Sequence, residues 1–233
     1  MYEYYDANVM CISIDLHKPI SISHFSGITS NTTDVTMLNG MTLKSSLIFE
    51  QVLSKTLYAT LKGTCDEKEV VIKFFFNSSD KNNEFEIMRF VQEETLLHDI
   101  TPIPYIKIDN PKYSTYIIGD TEIDNVWKII IYEYIPGIPI LYLKNVDIRL
   151  MHSDIESLLS DLKSIGLIHA DVHVGNIIRT PNGRFRLIDF GQTFSIDHRF
   201  PPIDYMFDEE FLPTFSNDID RLSQICHTLQ LYT

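Results

Sequence analysis

The chain has 233 residues, of which 44% are hydrophobic and 22% charged, and its formal net charge is −13 at pH 7. The length suits one large domain or two small lobes that share a cleft, and the composition is typical of globular proteins. The acidic charge argues against general binding to nucleic acids or to anionic membranes, because such binding needs a basic face.

The cysteines Cys11, Cys65 and Cys226 are odd in number and widely separated. They therefore predict neither a disulfide framework nor a paired metal-ligand spacing, and we expect an intracellular compartment, cytoplasmic or nuclear. The first residues lack the basic start and apolar core of a signal peptide. The longest apolar stretches are too short to cross a bilayer, so no membrane partner is expected.

Strand patterns dominate the first half of the chain. Residues 1–45 carry no recognisable chemistry and are interpreted as an N-terminal extension that could add strands. Phe85, Met88 and Val91 recur at three-residue steps, which predicts a helix over 78–99 that ends before the prolines that follow. Five β-prone runs surround that helix, at residues 46–53, 57–63, 70–76, 112–120 and 126–135.

The second half is predicted to be mostly helical. A helix over 149–166 ends at Gly166, the residue type that commonly follows a helix C-terminus. A loop is expected over 195–215, and a last helix is expected to begin with Ser216 as its N-cap. The apolar faces of the two helices are formed by Met151, Ile155, Leu158, Leu162 and Ile165, and by Ile219, Leu222, Ile225 and Leu229.

The stretch "LIHADVHVGNII", residues 167–178, places polar groups between apolar flanks. Asp171 could act as a general base or a metal ligand, and Asn176 offers a neutral oxygen that suits Mg²⁺. Asp189 follows an apolar run in "LIDFG" and precedes a glycine that allows a sharp turn. Two hard oxygen ligands, Asn176 and Asp189, predict a magnesium site of the kind that accompanies nucleotide phosphates.

These motifs resemble the catalytic loop and metal loop of the protein-kinase-like family. "HADVHVGN" resembles H-R-D-x-x-x-x-N, with Ala170 in place of the arginine, and "DFG" begins at Asp189. The resemblance covers about residues 46–230 and implies that His169 is mainly structural. It also implies an α+β, bilobal fold, with a five-stranded antiparallel N-lobe sheet and one helix over 46–135 and a shortened helical C-lobe over 136–233.

The same resemblance assigns further residues. "VVIK" makes Lys73 the phosphate-binding lysine, paired with Glu84 of the following helix, and "SNDIDRL" places Asp218 at the start of the helix that supports the catalytic loop. Tyr132 holds the gatekeeper position. The adenine-contacting hinge is assigned to Glu133, Tyr134 and Ile135.

Three departures from protein kinases are informative. The glycine positions of the phosphate loop hold Glu50, Val52 and Lys55, so close backbone approach to phosphates is in doubt, and Lys55 offers a charge instead. His173 stands where Ser/Thr protein kinases have lysine, which is similar to "H-G-D-x-H-x-G-N" in aminoglycoside and choline phosphotransferases. The chain also ends about one helix after Asp218, which makes the C-lobe short.

The sequence therefore predicts an ATP- and Mg²⁺-dependent phosphotransferase. Asp171 accepts the proton of the attacking hydroxyl, Asn176 and Asp189 hold Mg²⁺, and Lys73 holds the phosphates. The acceptor of first choice is a serine or threonine of a protein substrate. The alternatives are a small-molecule hydroxyl, favoured by His173 and the short C-lobe, and a pseudokinase that acts as a scaffold or binding module. The oligomeric state is left open.

Ala170 also bears on regulation, because many protein kinases pair the arginine at this position with a phosphorylated activation-loop residue. We expect activity that does not depend on phosphorylation of the segment 192–215. Packing of Phe194, Phe200 and Tyr205 is expected to hold that segment instead.

Overall fold

A computed structural model of the chain describes residues 11–25, 35–38, 40–42, 45–55, 58–76, 83–94, 100–197, 199–201 and 213–231. The chain divides into two compact units. The first unit comprises Met1–Asp80 and Pro104–Tyr134, and the second comprises Lys81–Ile103 and Ile135–Thr233. Within the described ranges, no helix is long and apolar enough to pass through a membrane.

The first unit is built on an antiparallel sheet of seven strands in the order β2-β4-β5-β6-β10-β7-β3. A smaller sheet has the order β1-β8-β9, with β1 parallel to β8. The strands of this unit are β1 (Cys11–Ile14), β2 (Pro19–Ser21), β3 (Val35–Met37), β4 (Ser46–Lys55), β5 (Tyr58–Cys65), β6 (Lys68–Phe75), β7 (Pro104–Asp109), β8 (Thr115–Ile118), β9 (Thr121–Ile123) and β10 (Lys128–Glu133).

The prediction of a five-stranded sheet was wrong: the sheet has seven strands, and one of the predicted five belongs to a different sheet. The strands β2 and β3, both from the N-terminal extension, add one strand at each edge of the sheet. In the main sheet β10 lies between β6 and β7. The predicted strand over 112–120 is not part of that sheet and forms β8 of the smaller sheet. Pro104 is the first residue of β7, a position where the missing N–H does not interrupt the ladder.

Aromatic packing explains where β8 lies. The Tyr116 ring of β8 lies 5.8 Å from the ring of Phe25 and 5.1 Å from that of Phe74 in β6, measured between centroids. All three side chains are buried. The smaller sheet is therefore fixed by burial of these rings, each worth well over 100 Å² of contact surface, and not by a place in the main sheet.

The second unit contains three α-helices, one short 3-10 helix (Ile140–Tyr142) and five short strands within its described residues. The apolar faces of its helices pack on one core, which includes Ile87, Met151, Ile155, Leu162 and Leu222. The elements are α1 (Glu84–Glu93), β11 (Ile138–Pro139), α2 (Ile148–Ser164), β12 (Leu167–Ile168), β13 (Ile177–Arg179), β14 (Phe185–Leu187), β15 (Phe194–Ser195) and α3 (Phe215–Leu231).

The predicted faces of α1 and α2 are confirmed by burial. Phe85, Met88 and Val91 of α1 are buried, although residues 78–82 and 95–99 of the predicted helix lie outside the described part of the chain. On α2, the predicted stripe is buried from Met151 to Leu162, and its last member, Ile165, is partly buried. Gly166 follows the end of α2 with φ +79°, a conformation that favours glycine.

Two expectations for the second unit need correction. The last helix begins at Phe215, before Ser216, and the Asn217 side chain accepts the N–H of Thr214 at 2.7 Å, so Ser216 is not its N-cap. The prediction of a mostly helical half also missed β11 to β15. Among them, β13 and β14 form a hairpin, and β12 and β13 bracket the loop that contains Asp171.

Candidate active site

The loop between β12 and β13 brings two predicted site residues into direct contact. The Asn176 Nδ2 donates to Asp171 Oδ2 at 2.9 Å and to the Asp171 carbonyl oxygen at 3.1 Å. In this orientation the NH₂ group of the amide is used by Asp171. The side-chain oxygen of Asn176, Oδ1, therefore remains as the atom suited to a metal ion. Asn176 is buried, and the Asp171 side chain is 31% exposed.

Asp218 of α3 binds this loop through hydrogen bonds to its backbone. Its carboxylate accepts the backbone N–H groups of His169 at 3.1 Å and of Ala170 at 3.1 Å and 3.3 Å. Ala170 has φ +64°, a left-handed conformation that costs a non-glycine residue about 1–2 kcal/mol. Asp218 is 1% exposed, and burial raises its pKa to about 6. The assigned place of Asp218 at the start of a helix agrees with its position in α3.

His169 is a buried part of the loop. Its ring packs against Phe190 with 5.0 Å between ring centroids, and its Nδ1 accepts the N–H of Asp171 at 3.3 Å. Burial lowers the pKa of His169 to about 4, so the ring is neutral at physiological pH. A neutral ring that accepts a backbone N–H fits a structural role.

Asp189 lies on the turn that follows β14. Its φ is +62°, and its Oδ1 accepts the N–H of Gly191 at 3.2 Å. The backbone N–H of the preceding residue, Ile188, donates to the backbone carbonyl oxygen of Asn176 at 2.9 Å. This bond joins the segment that contains Asn176 to the segment that contains Asp189. The two segments therefore hold the two candidate ligands in neighbouring positions.

The charges around Asp171 act in opposite directions. Burial raises the pKa of Asp171, and the charge of Asp189 raises it further, whereas His173 and the hydrogen bond from Asn176 lower it. A divalent cation between such carboxylates would relieve their repulsion. Among the described residues, no group of three or more His, Cys, Asp or Glu could hold a metal ion. Mg²⁺ would therefore need further ligands from phosphates and water.

Other predicted nucleotide-binding residues belong to the first unit. Lys73 of β6 is 2% exposed, and its Nζ lies 4.6 Å from the centroid of the Tyr58 ring. Lys55, at the end of β4, donates from its Nζ to the carbonyl oxygen of Glu122. Glu84 begins α1 of the second unit and is buried. The predicted pairing of Lys73 with Glu84 stays a prediction.

The predicted hinge spans the end of β10. Glu133 is the last residue of that strand, and Tyr132, at the gatekeeper position, is buried. The N–H of Tyr134 donates to the carbonyl oxygen of Glu69 at 3.1 Å. This N–H is therefore already used by the sheet, and adenine recognition by Tyr134 would have to use another group.

One residue and one hydrogen bond near Asp171 escaped the sequence reasoning. Arg221 of α3 lies close enough for its charge to lower the pKa of both Asp171 and Asp218. Its position three residues after Asp218, on the same side of a helix, was an available signal. The N–H of Gly175 donates to His173 Nδ1 at 3.0 Å, and no periodic pattern could have indicated that bond.

Comparisons with known proteins agree with this geometry. A model of the ABC1 atypical kinase-like domain matches residues 125–224, which include β10, the loop of Asp171, the turn of Asp189 and Asp218. The kinase domain of a Toxoplasma gondii specific rhoptry antigen is similar in structure, with TM-score 0.56 and 16% identity over 89% of this chain and 72% of that one. No curated protein sequence matches the chain. The chain therefore has a protein-kinase-like fold, and residues 125–224 are similar to the ABC1 atypical kinase-like domain.

Proposed function

We propose that the chain is an ATP-dependent phosphotransferase that moves the γ-phosphoryl group to a hydroxyl, with a serine or threonine of a protein as acceptor. The contact that carries the proposal joins Asp171 Oδ2 to Asn176 Nδ2 at 2.9 Å. It holds a candidate base beside a candidate metal ligand, with Asp189 on the neighbouring turn. A scaffold that only binds a partner has no need of this arrangement.

In the proposed reaction, Asp171 accepts the proton of the acceptor hydroxyl. The hydroxyl oxygen bonds to the γ-phosphorus, and the bond from that phosphorus to the bridging oxygen of the leaving ADP breaks. Because burial raises the pKa of Asp171, its carboxylate is a stronger base than that of an exposed aspartate. The contact from Asn176 orients the carboxylate before the acceptor arrives.

The remaining residues are assigned to the nucleotide and its metal. Asn176 and Asp189 would hold Mg²⁺, which supplies charge neutralisation of the phosphates when bound. Lys73 would hold the α- and β-phosphates, with Glu84 orienting it, and Lys55 would add charge after leaving its present bond. The adenine would be contacted by Glu133, Tyr134 and Ile135.

A small-molecule hydroxyl is the second candidate acceptor. The bond from the Gly175 N–H to His173 Nδ1 at 3.0 Å gives a physical reason for a histidine and a glycine at these two positions. Those positions are the ones that resemble aminoglycoside and choline phosphotransferases.

The test is incubation with γ-labelled ATP and Mg²⁺, alone, with a generic protein acceptor, and with a panel of small alcohols. We expect label on serine or threonine of the protein acceptor, and none for the Asp189→Asn variant. The matched control is Asp220→Asn, which changes an exposed aspartate of α3 and should transfer normally. Label only in a small alcohol would favour the second candidate, and no label in any arm would contradict the proposal.

A further inference from the structure

The two nitrogens of the His173 ring face different groups of the loop. Its Nδ1 accepts the backbone N–H of Gly175 at 3.0 Å, and its Nε2 lies 3.6 Å from Oδ2 of Asp171. A neutral imidazole that accepts at Nδ1 carries its proton at Nε2. The proton is therefore on the nitrogen that faces Asp171, although 3.6 Å is longer than a hydrogen bond.

Gly175 makes this ring position available. A Cβ atom on Gly175 would lie 2.9 Å from His173 Cε1 and 3.1 Å from Nδ1, closer than such atoms normally approach. Gly175 is not among the glycines with positive φ, so an alanine could adopt its backbone conformation. The glycine is therefore required for the place of the imidazole, and an alanine there would displace the ring without altering its chemistry.

One oxygen of Asp171, Oδ2, has one bonded donor and a second polar N–H nearby. Asn176 Nδ2 donates to Oδ2 at 2.9 Å, and His173 Nε2 approaches the same atom. Among the described residues no donor contacts Oδ1. A carboxylate that is held at one oxygen presents the other in a fixed direction, which is the requirement for a base that must meet a hydroxyl at hydrogen-bond distance.

We propose that His173 is a positioning residue for phosphoryl transfer, because its Nε2–H steers Oδ2 of Asp171 and thereby presents Oδ1 to the acceptor hydroxyl. This inference rests on the proposed function. The side chain of His173 is 49% exposed, so it contributes little to the core, and its burial does not explain its presence. The competing interpretation is that His173 only shapes the loop, through the bond from Gly175.

Two substitutions separate these roles. In His173→Gln the side-chain amide reaches about as far as Nε2 and can donate to Asp171, but the acceptor at the Nδ1 position is lost. In His173→Asn the amide oxygen takes the place of Nδ1, and no donor reaches Asp171. If His173 acts on Asp171, the Gln variant is the active one, whereas a loop-shaping role makes the Asn variant the active one.

The expected result is a fall in kcat of about tenfold or more for His173→Asn and for Gly175→Ala, because small displacements of a reacting group have effects of this size. His173→Gln should stay within about threefold of the wild type. The KM for ATP and the thermal shift produced by Mg²⁺–ATP should not change in any variant, which separates positioning from misfolding. The inference would be overturned if His173→Asn kept the full kcat, or if only His173→Gln lost activity. Neither result would contradict the proposed function, as long as the wild type transfers phosphate.

A second measurement does not depend on activity. The ¹⁵N shifts of the His173 ring, read by NMR in the wild-type chain at a pH where the ring is neutral, report which nitrogen carries the proton. We expect the proton on Nε2, and the Gly175→Ala variant should lose that preference. A proton on Nδ1 in the wild type would overturn the inference, whether or not the chain transfers phosphate.

Discussion

Asp218 provides a test of how the loop is held. In Asp218→Ala the N–H groups of His169 and Ala170 lose their acceptor inside the protein. Each unsatisfied buried donor costs about 1–3 kcal/mol, so we expect the two donors together to lower the free energy of unfolding by about 2–6 kcal/mol. For a chain of this size, that corresponds to a fall of roughly 4–24 °C in melting temperature.

The pH dependence of the same residue has a definite sign. Burial raises the pKa of Asp218 from 3.8 to about 6 in the folded chain. The folded state therefore binds the proton more tightly, and the resulting stability is present below the unfolded pKa and lost as pH rises through the folded pKa. Relative to Asp218→Asn, which cannot titrate, the wild type should lose about 2 kcal/mol between about pH 4 and about pH 7.5.

The assay is urea unfolding followed by circular dichroism at both pH values, for the wild type, Asp218→Asn, Asp218→Ala and the exposed control Asp220→Asn. The control should differ from the wild type by less than about 0.5 kcal/mol, as surface substitutions do. The reasoning is refuted if the difference between wild type and Asp218→Asn is the same at the two pH values, because the Asp218 carboxylate would then not be desolvated in the folded chain.

Three further outcomes are expected. Burial lowers the pKa of His169 from 6.5 to about 4, so the contribution of the neutral ring to stability is present above the unfolded pKa and lost as pH falls through the folded pKa. The loss in free energy of unfolding caused by His169→Phe should therefore shrink by about 3 kcal/mol from about pH 7.5 to about pH 4. The same loss at both pH values would contradict the burial of His169. Mg²⁺–ATP at about 100 times its dissociation constant should stabilise the chain by about 2.7 kcal/mol, and Asp189→Asn should lose most of the thermal shift; an equal shift in the variant would exclude Asp189 as a ligand. Phosphatase treatment should leave the transfer rate unchanged, since Thr193 and Ser195 are buried and Ala170 offers no donor to a phosphate; a tenfold loss that rephosphorylation restores would reveal a phosphate switch.

The packing of the segment after Asp189 is partly as expected. Phe194 is buried, and the Phe200 ring lies 5.6 Å from the ring of Phe90 on α1, centroid to centroid. The Arg199 guanidinium lies over the same Phe90 ring at 4.6 Å. Tyr205, the third residue expected to hold this segment, lies outside the described residues. Arg199 therefore anchors the segment through an aromatic ring.

Local patterns were sufficient where the interactions are local. The faces of α1 and α2 follow from three- and four-residue spacing, and the loop of Asp171 is recognisable from the resemblance of "HADVHVGN" to a known motif. Pairing of strands is not local. Nothing in the residues near Pro104 or Tyr116 specifies which of β7 and β8 lies beside β10, because the choice depends on rings contributed by Phe25 and Phe74.

The site shows the same division. Asp171, Asn176 and Asp218 are recognisable from residue type and spacing. The role of Gly175 is visible only from the 2.9 Å approach that a Cβ atom would make to the His173 ring. Arg221 likewise acts through space on Asp171, from a helix that begins more than forty residues later in the chain. Such relations depend on the folded backbone and leave no periodic trace.

The most direct test of the central claim is single-turnover transfer of the γ-phosphoryl group by the wild type and by Asp171→Asn. Nucleotide binding is measured on the same samples by the thermal shift with Mg²⁺–ATP. Because a general base contributes to the transition state far more than to nucleotide binding, the variant should keep the shift and lose about 10²-fold or more in rate. Transfer by Asp171→Asn at the wild-type rate would contradict the account, since Asp171 would then not be the base.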